Sequence, residues 1–374
     1  MGGQGVLPLN PLTTVARITA RVLRSSGVGA VYEDMLDFKG DEIYTTHVPR
    51  AYHGRPFGEL LLASSESSVI GLIRDGEVVP VPDFDTIVDE TDVVIAISPD
   101  DSSLKLDRQP LGFTRQETQH RVPAGVESTL VVGWSRLAAA ICLDNESHVL
   151  SGSHVCVLVD PNLHDASRVH MDAPLQRQDV EVISGNPIHS GTIEQVLASR
   201  RFDHVLVLAE RDRLSYQEAD ARALLALLNI RRWYDSQPAS LRRPNLVAEL
   251  LDVNDEIIGE IARPDDFIVS ERLVSLALAQ LSENPQIYPV LRRLLDADGV
   301  QVQLLGWEDV PLKGASGFGD VVSACRSVGA IAIGVQTGIG EGGDVSRAKV
   351  VINPNKASQL DLGPRDRAVV LVRT

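Results

Sequence analysis

The sequence predicts an α/β protein: a doubly wound parallel sheet flanked on both sides by a small α+β lobe, each lobe entered through a helical crossover. Three observations carry this reading. Between residues 128 and 270, short apolar runs alternate with helix-patterned stretches. A segment made of a helix pair followed by β-strands occurs twice, once on each side of that region. A polar stretch from about Asp100 to Val126, with Pro110, Gly112, Pro123 and Gly125, separates the first copy from the middle.

In the middle region Thr129–Gly133 is an apolar run that reads as a buried strand, and a helix follows around Leu137 to Asp144. Val155–Asp160 and Val180–Ser184 are the next two strands, and a helix runs from about Thr192 to Arg200. His204–Ala209 is the fourth strand. The helix after it opens with Ser215 and Glu218, spaced as a capping box, and Ala221 to Leu228 supply its apolar stripe. Asn245–Leu250 and Phe267–Val269 complete six strands. Strands that are apolar throughout and alternate with helices belong to a parallel sheet covered on both faces.

The flanks repeat one another. Residues 13–38 read as two helices broken at Ser25-Ser26-Gly27, and residues 271–295 as two helices broken at Asn284-Pro285. A β-rich segment follows each pair. One opens on Pro56-Phe57-Gly58-Glu59-Leu60-Leu61 and the other on Gly317-Phe318-Gly319-Asp320-Val321-Val322. Each contains an apolar strand (Val69–Arg74, Ala330–Val335) and a glycine turn of the kind a hairpin needs (Asp75-Gly76, Gly342-Gly343). Each then has a polar loop (Val88–Asp92, Leu362–Asp366) before a last apolar strand (Asp92–Ile97, Arg367–Val372). The shared order marks an internal repeat. Each Phe is expected in a lobe core, and each Gly at a tight turn. The expected divisions are residues 1–107, 108–127, 128–270 and 271–374: lobe, linker, Rossmann-like domain, crossover and lobe.

With 35 basic against 51 acidic residues, the formal charge of −16 argues against nucleic-acid binding, which shows a basic footprint. It favours solubility and leaves carboxylates available for cations, although a generally acidic surface accounts for most of them. The five lysines, at 39, 105, 313, 349 and 356, are far outnumbered by arginines, a coding bias that carries no functional reading. Cys142, Cys156 and Cys325 are scattered, form neither a disulfide framework nor a metal knuckle, and imply a reducing compartment. No apolar run reaches the ~18 residues that a membrane-spanning helix needs, and no signal peptide opens the chain.

The stretches Val31-Tyr32-Glu33-Asp34-Met35-Leu36-Asp37-Phe38, Val269-Ser270-Glu271-Arg272-Leu273-Val274-Ser275 and Val351-Ile352-Asn353-Pro354-Asn355, in this order and on this architecture, carry a resemblance. The arrangement resembles the regulator-of-K⁺-conductance (RCK) domain: a Rossmann lobe, a helical crossover and a small C-lobe, used in tandem beneath ion channels. More narrowly, it is similar to the Castor/Pollux family of cation channels from Pro11 to the end of the chain. The resemblance implies a gating ring in the cytoplasm at the inner face of the membrane. The ring would be assembled as a tetramer and would couple ion or small-molecule binding to opening of a K⁺-type pore. A symmetric two-unit design calls for one more Rossmann lobe of about 120–140 residues before residue 12. The chain is therefore expected to be the soluble part of a channel or a regulatory subunit.

Ligands of a doubly wound sheet bind at the carboxyl ends of its strands. Gly133, Ser135 and Asp160 stand where a nucleotide such as NAD or ATP would be held. However, the loop has one glycine followed by bulky Trp134 and charged Arg136, which keep a pyrophosphate from the backbone. Asp160 has a plainer explanation as a residue that ends a strand and caps the turn after it. Asp160, Glu210, Asp212 and Glu249 come from neighbouring strand ends, and a convergent set of oxygens suits Ca²⁺; Ca²⁺ control is also what some RCK-type channels imply. Alternatively, Arg211 or Arg136 simply pairs with these acids.

No catalytic set is legible: the nine histidines are dispersed, and Ser135 lacks the second glycine of a nucleophile elbow. The helical spacing of Leu273, Leu276, Ala277, Gln280 and Leu281, continued by Ile287, Val290, Leu291, Leu294 and Leu295, fits either core packing or a partner surface. A nucleotide-dependent oxidoreductase with a degenerate loop and a ligand-free scaffold remain the alternatives to a channel regulator.

Overall fold

The computed structural model describes residues 10–37, 40–110, 125–238, 240–252, 264–295, 300–312, 314–340 and 348–373. The first part of the chain forms helices α1 (Pro11–Arg24) and α2 (Gly29–Leu36) and strands β1 (Glu42–His47), β2 (Ser68–Arg74), β3 (Glu77–Pro80) and β4 (Val93–Ser98). The middle forms β5 (Ser128–Val132), α3 (Arg136–Asn145), β6 (Ser153–Val159), β7 (Gln178–Ser184), α4 (Ser190–Ser199), β8 (His204–Val207), α5 (Tyr216–Asp235), β9 (Asn245–Leu250) and β10 (Asp266–Val269). Then come α6 (Ser270–Glu283), α7 (Tyr288–Leu295), β11 (Val300–Leu305), α8 (Phe318–Ser327), β12 (Ile331–Thr337), β13 (Lys349–Ile352) and β14 (Arg367–Arg373). No helix among the described residues is long and apolar enough to cross a membrane. The chain divides into two compact units, one within Pro8–Gly29 and Pro123–Ser275, the other within Ala30–Val122 and Leu276–Thr374.

The first unit is built on a six-stranded, all-parallel sheet of order β10-β9-β8-β5-β6-β7. This is the doubly wound order, and it reverses between β5 and β8. Leu130, Val132, Leu158, Val205, Val207 and Leu246 face one side, where Ile193 of α4 and Ala223, Leu227 and Ile230 of α5 bury them. α5 begins with the capping box, the Ser215 hydroxyl accepting from Glu218 N while the Glu218 carboxylate takes the Ser215 N–H.

α1 covers this sheet together with α3, packing on β8 and β9, whereas the sequence pattern groups it with the small lobe after it. Its apolar stripe is buried there, and polar groups fix its end. Asn245 Nδ2 donates to the Val22 and Leu23 carbonyls at 2.9 and 2.8 Å, and Arg24 pairs with Glu127 at 2.7 Å. The turn after α1 is held by Asp266, whose carboxylate accepts from Gly27 N at 2.6 Å and Gly29 N at 2.9 Å. Burial pushes that carboxyl up to about 8, and these two amides only partly offset the effect.

The second unit contains the two small lobes. Their antiparallel sheets have the same topology, β1-β4-β2-β3 and β11-β14-β12-β13. The likeness extends to irregularities. Each sheet has a bulge at its central glycine, between Val69 and Gly71 and between Ala332 and Gly334. A Cβ at Gly71 would stand 2.7 Å from the Val79 carbonyl oxygen, and one at Gly334 2.5 Å from that of Val351. Each hairpin's second strand is followed at once by a residue with φ of +48°, Val81 and Asn353. Asp75 and Gly76, both at positive φ, make the two-residue turn between β2 and β3. The Gly342-Gly343 turn lies outside the described residues.

Phe57 and Phe318 are fully buried, as core residues should be. The glycines after them are not turn residues. Gly58 sits in a 3-10 segment, Phe57–Leu62, and Gly319 in the first turn of α8. A Cβ at Gly319 would stand 3.0 Å from the Lys356 carbonyl oxygen, so close approach is what needs a glycine there. The stripe from Leu273 to Leu295 is buried within the chain, with Leu273, Ala277, Gln280, Leu281, Val290 and Leu294 all inaccessible.

Candidate functional site

The crevice between β5 and β8 is the place to look for a ligand in a sheet of this order. Gly133 ends β5 with φ of +89° and donates its N–H to the Leu158 carbonyl at 2.9 Å. Above it lies Glu210, buried, from the end of β8. Asp160, at the end of β6, is buried as well. It accepts from the Asn162 backbone and side-chain nitrogens at 2.9 and 3.0 Å and from the Arg222 guanidinium. Burial raises the Asp160 carboxyl, but the Asn162 amide and Arg222 outweigh it and hold the group below the usual carboxylate range. Arg222 Nε stands 3.6 Å from Glu210 Oε2, so one guanidinium from α5 lies between two buried acids. His164 Nε2 comes within 3.1 Å of Glu210 Oε1 without hydrogen-bond geometry, and neither atom has a hydrogen-bond partner among the described residues.

Sequence reasoning missed Arg222. It was legible as a cation next to the inward Ala223 and within one turn of Ala219 and Ala226, where a charge must find an acid. With Arg222 in place, the hollow bounded by Gly133, Pro187, Glu210 and Arg222 encloses only about 10 Å³. Small-molecule sites hold roughly 300–1,000 Å³. The loop that would cradle a pyrophosphate is met by the protein's own acids. Glu210 packs on Gly133, and Asp212 Oδ2 takes the Arg136 N–H at 3.0 Å, at the start of α3. Ser135, which precedes that helix, is buried, and its hydroxyl has no partner among the described residues.

The remaining acid is placed apart. Glu249 is fully buried on β9 and accepts from Arg211, from the Ser270 hydroxyl at 2.6 Å and from Ala209 N at 3.3 Å. Burial moves its carboxyl up, against the pull of Arg211. Thus Asp160 and Glu210 meet through Arg222, Glu249 pairs with Arg211, and Asp212 caps α3. No three His, Cys, Asp or Glu side chains among the described residues converge so as to hold a metal ion. The donor set does not fit Ca²⁺, because guanidinium groups take the oxygens that a cation would need.

The comparisons agree with the architecture. A model of the Castor and Pollux family, described as part of voltage-gated ion channel, matches residues 13–111. The chain is 24% identical over 341 residues to the probable ion channel CASTOR of Oryza sativa subsp. japonica, covering 81% of this chain and 38% of that one. It is 24% identical over 416 residues to the probable ion channel POLLUX of Arabidopsis thaliana, covering 100% of this chain and 48% of that one. The chain therefore spans less than half the length of these relatives. The structure of the human SLO3 gating ring superposes with a TM-score of 0.66 at 13% identity, over 98% of this chain and 76% of that one, a likeness of fold. The chain is thus similar to the Castor and Pollux ion channels, through the family model over residues 13–111 and through these relatives along most of its length.

Proposed function

We propose that this chain is the regulatory, gating-ring-type region of a cation channel. Copies of it would assemble into a ring, of tetramer type, at the cytoplasmic face of a membrane pore. Ligand binding would then bias two arrangements of the ring and so the pore. The observation that carries the reading is the pairing of one Rossmann-like sheet with two small lobes of identical topology, in a chain whose relatives are named ion channels. The strand-end crevice supports a structural role for the Rossmann glycine loop, since Glu210, Asp212 and Arg222 fill the place of a dinucleotide. That same crevice favours a second reading, a scaffold without a ligand at this position.

Light scattering of the purified chain over rising concentration tests the proposal. A defined multimer is expected. A strict monomer at the highest concentration would overturn the ring. Loss of assembly on charge reversal of buried residues would say nothing, so exposed positions should be chosen for variants.

A further inference from the structure

A larger hollow opens beside the start of α3, within the unit that holds the parallel sheet. It encloses about 480 Å³, the size of a small-molecule site. Leu12 and Val15 of α1, Leu137 of α3 and Val274 of α6 form an apolar wall. Leu12 is 40% exposed, a large aliphatic side chain left uncovered at the rim.

The polar wall carries Arg136, Arg211, Asp212 and Glu271. Their hydrogen-bonding capacity is unequally used. Asp212 already accepts the Arg136 N–H, and Glu271 acts on the Tyr216 hydroxyl, raising its pKa. The Arg136 side chain has, among the described residues, only an ion pair at 3.9 Å to Asp212 and is 84% exposed. Arg211 commits Nη2 to Glu249, while its Nε, itself buried, donates to nothing among the described residues. The unspent capacity is donor capacity, on planar groups suited to carboxylates. Asp212, Glu271 and, behind Arg211, Glu249 offset the arginine charge, which disfavours a dianion such as phosphate.

We propose that this hollow binds a small organic carboxylate with an aliphatic tail, the carboxylate on Arg136 and Arg211 and the tail against Leu12, Val15, Leu137 and Val274. The hollow shares Asp212 with the strand-end crevice but needs none of Gly133, Glu210 or Arg222. The α6 wall, from Ser270 to Ser275, continues as one helix into the residues of the other unit, so occupancy acts directly on the crossover. That coupling rests on the regulatory reading above; the binding does not.

Calorimetric titration of the chain with 4-methylpentanoate is the test, beside acetate, which lacks the tail, and 3-methylbutan-1-ol, which lacks the charge. Saturable binding of 4-methylpentanoate is expected, with both controls weaker by roughly tenfold or more, the worth of one charged hydrogen-bonded contact or of the buried tail. R136Q and L12N, both at exposed positions, are each expected to weaken it by about tenfold. Three results would each overturn the site: no saturable heat with 4-methylpentanoate, equal binding of the alcohol, or unchanged affinity in both variants. Failure of the chain to form a ring would remove the regulatory reading and leave this titration as it stands.

Discussion

Glu210 and Gly133 are in contact across the switch point of the sheet: a Cβ on residue 133 would stand 3.3 Å from Glu210 Cγ and 2.9 Å from the Leu208 carbonyl oxygen. The glycine that opens the nucleotide-type loop therefore serves the protein's own carboxylate and backbone. Two constraints act on it, the φ of +89° and the carbonyl contact. Gly133→Ala is expected to cost about 1–3 kcal/mol, read as a lowered midpoint in urea unfolding. Truncating Glu210 as well should not restore stability, because the carbonyl and the backbone angle remain. Full recovery in the double variant would show that the side chain, and not the backbone, selects glycine.

Arg222 is the shared partner of two acids that have little else to neutralise them. Asp160 and Glu210 keep only 2% and 5% of their side-chain surface exposed. Arg222→Met would leave both charges buried, a loss of roughly 3–5 kcal/mol by the usual cost of breaking a buried pair from one side. Combining it with Asp160→Asn should recover part of that loss, as residues in one network couple. Additive losses in the double variant would mean that Asp160 is held by Asn162 alone.

Much of the fold could be read from the chain because its signals are local. The inner parallel strands β5, β6 and β8 are short apolar runs, the Ser215–Glu218 box is a four-residue pattern, and Asp75-Gly76 dictates its own turn. The repeated lobes were legible as an order of such signals, even though Phe57 opens a 3-10 segment and Phe318 an α-helix. What could not be read depends on residues far apart in sequence. α1 is claimed by Asn245 and Glu127. Gly319 is needed for the Lys356 carbonyl. The four acids were legible as strand-end residues, but their partners, Arg222 above all, came from a helix whose pattern gives period and not direction.

Asp266 gives the sheet unit a pH dependence of defined sign. Its carboxyl is raised from an ordinary 3.8 to about 8, first by burial, with neighbouring Asp265 adding to it. Between those values the folded chain holds a proton that the unfolded chain has released. This group's contribution is therefore full below 3.8 and is lost as pH rises toward 8. Asp266→Asn keeps the shape, removes the titration and sets one amide N–H against an NH₂ group. It should lower stability at pH 5 by about 1–2 kcal/mol and flatten the decline between pH 5 and 8. An unchanged slope in thermal melts across that range would count against Asp266 as its source.

Lys356 works in the opposite sense, at the seam between the two small lobes. Its backbone N–H donates to the Ser65 carbonyl at 2.8 Å and its Nζ to the Ser67 carbonyl, both in the first lobe. Nearby, Asn353 Nδ2 donates to Asp41 at 3.0 Å and to the Glu66 carbonyl at 2.7 Å. Nζ lies 5.9 Å from the centre of the Phe318 ring, and the charged group that acts on it is a second cation, Arg108. Burial, and then Arg108, lower the amine from 10.5 to about 7. Between pH 7 and 10.5 the unfolded chain holds a proton that the folded chain lacks, so stability rises with pH across that window and is lowest below 7. Lys356→Met buries no charge. It should be more stable than the parent at pH 6, with the advantage shrinking toward pH 10 as the parent's amine is neutral in both states. Melting both proteins from pH 6 to 10 checks this, and parallel curves would show that the seam does not feel the Lys356 proton.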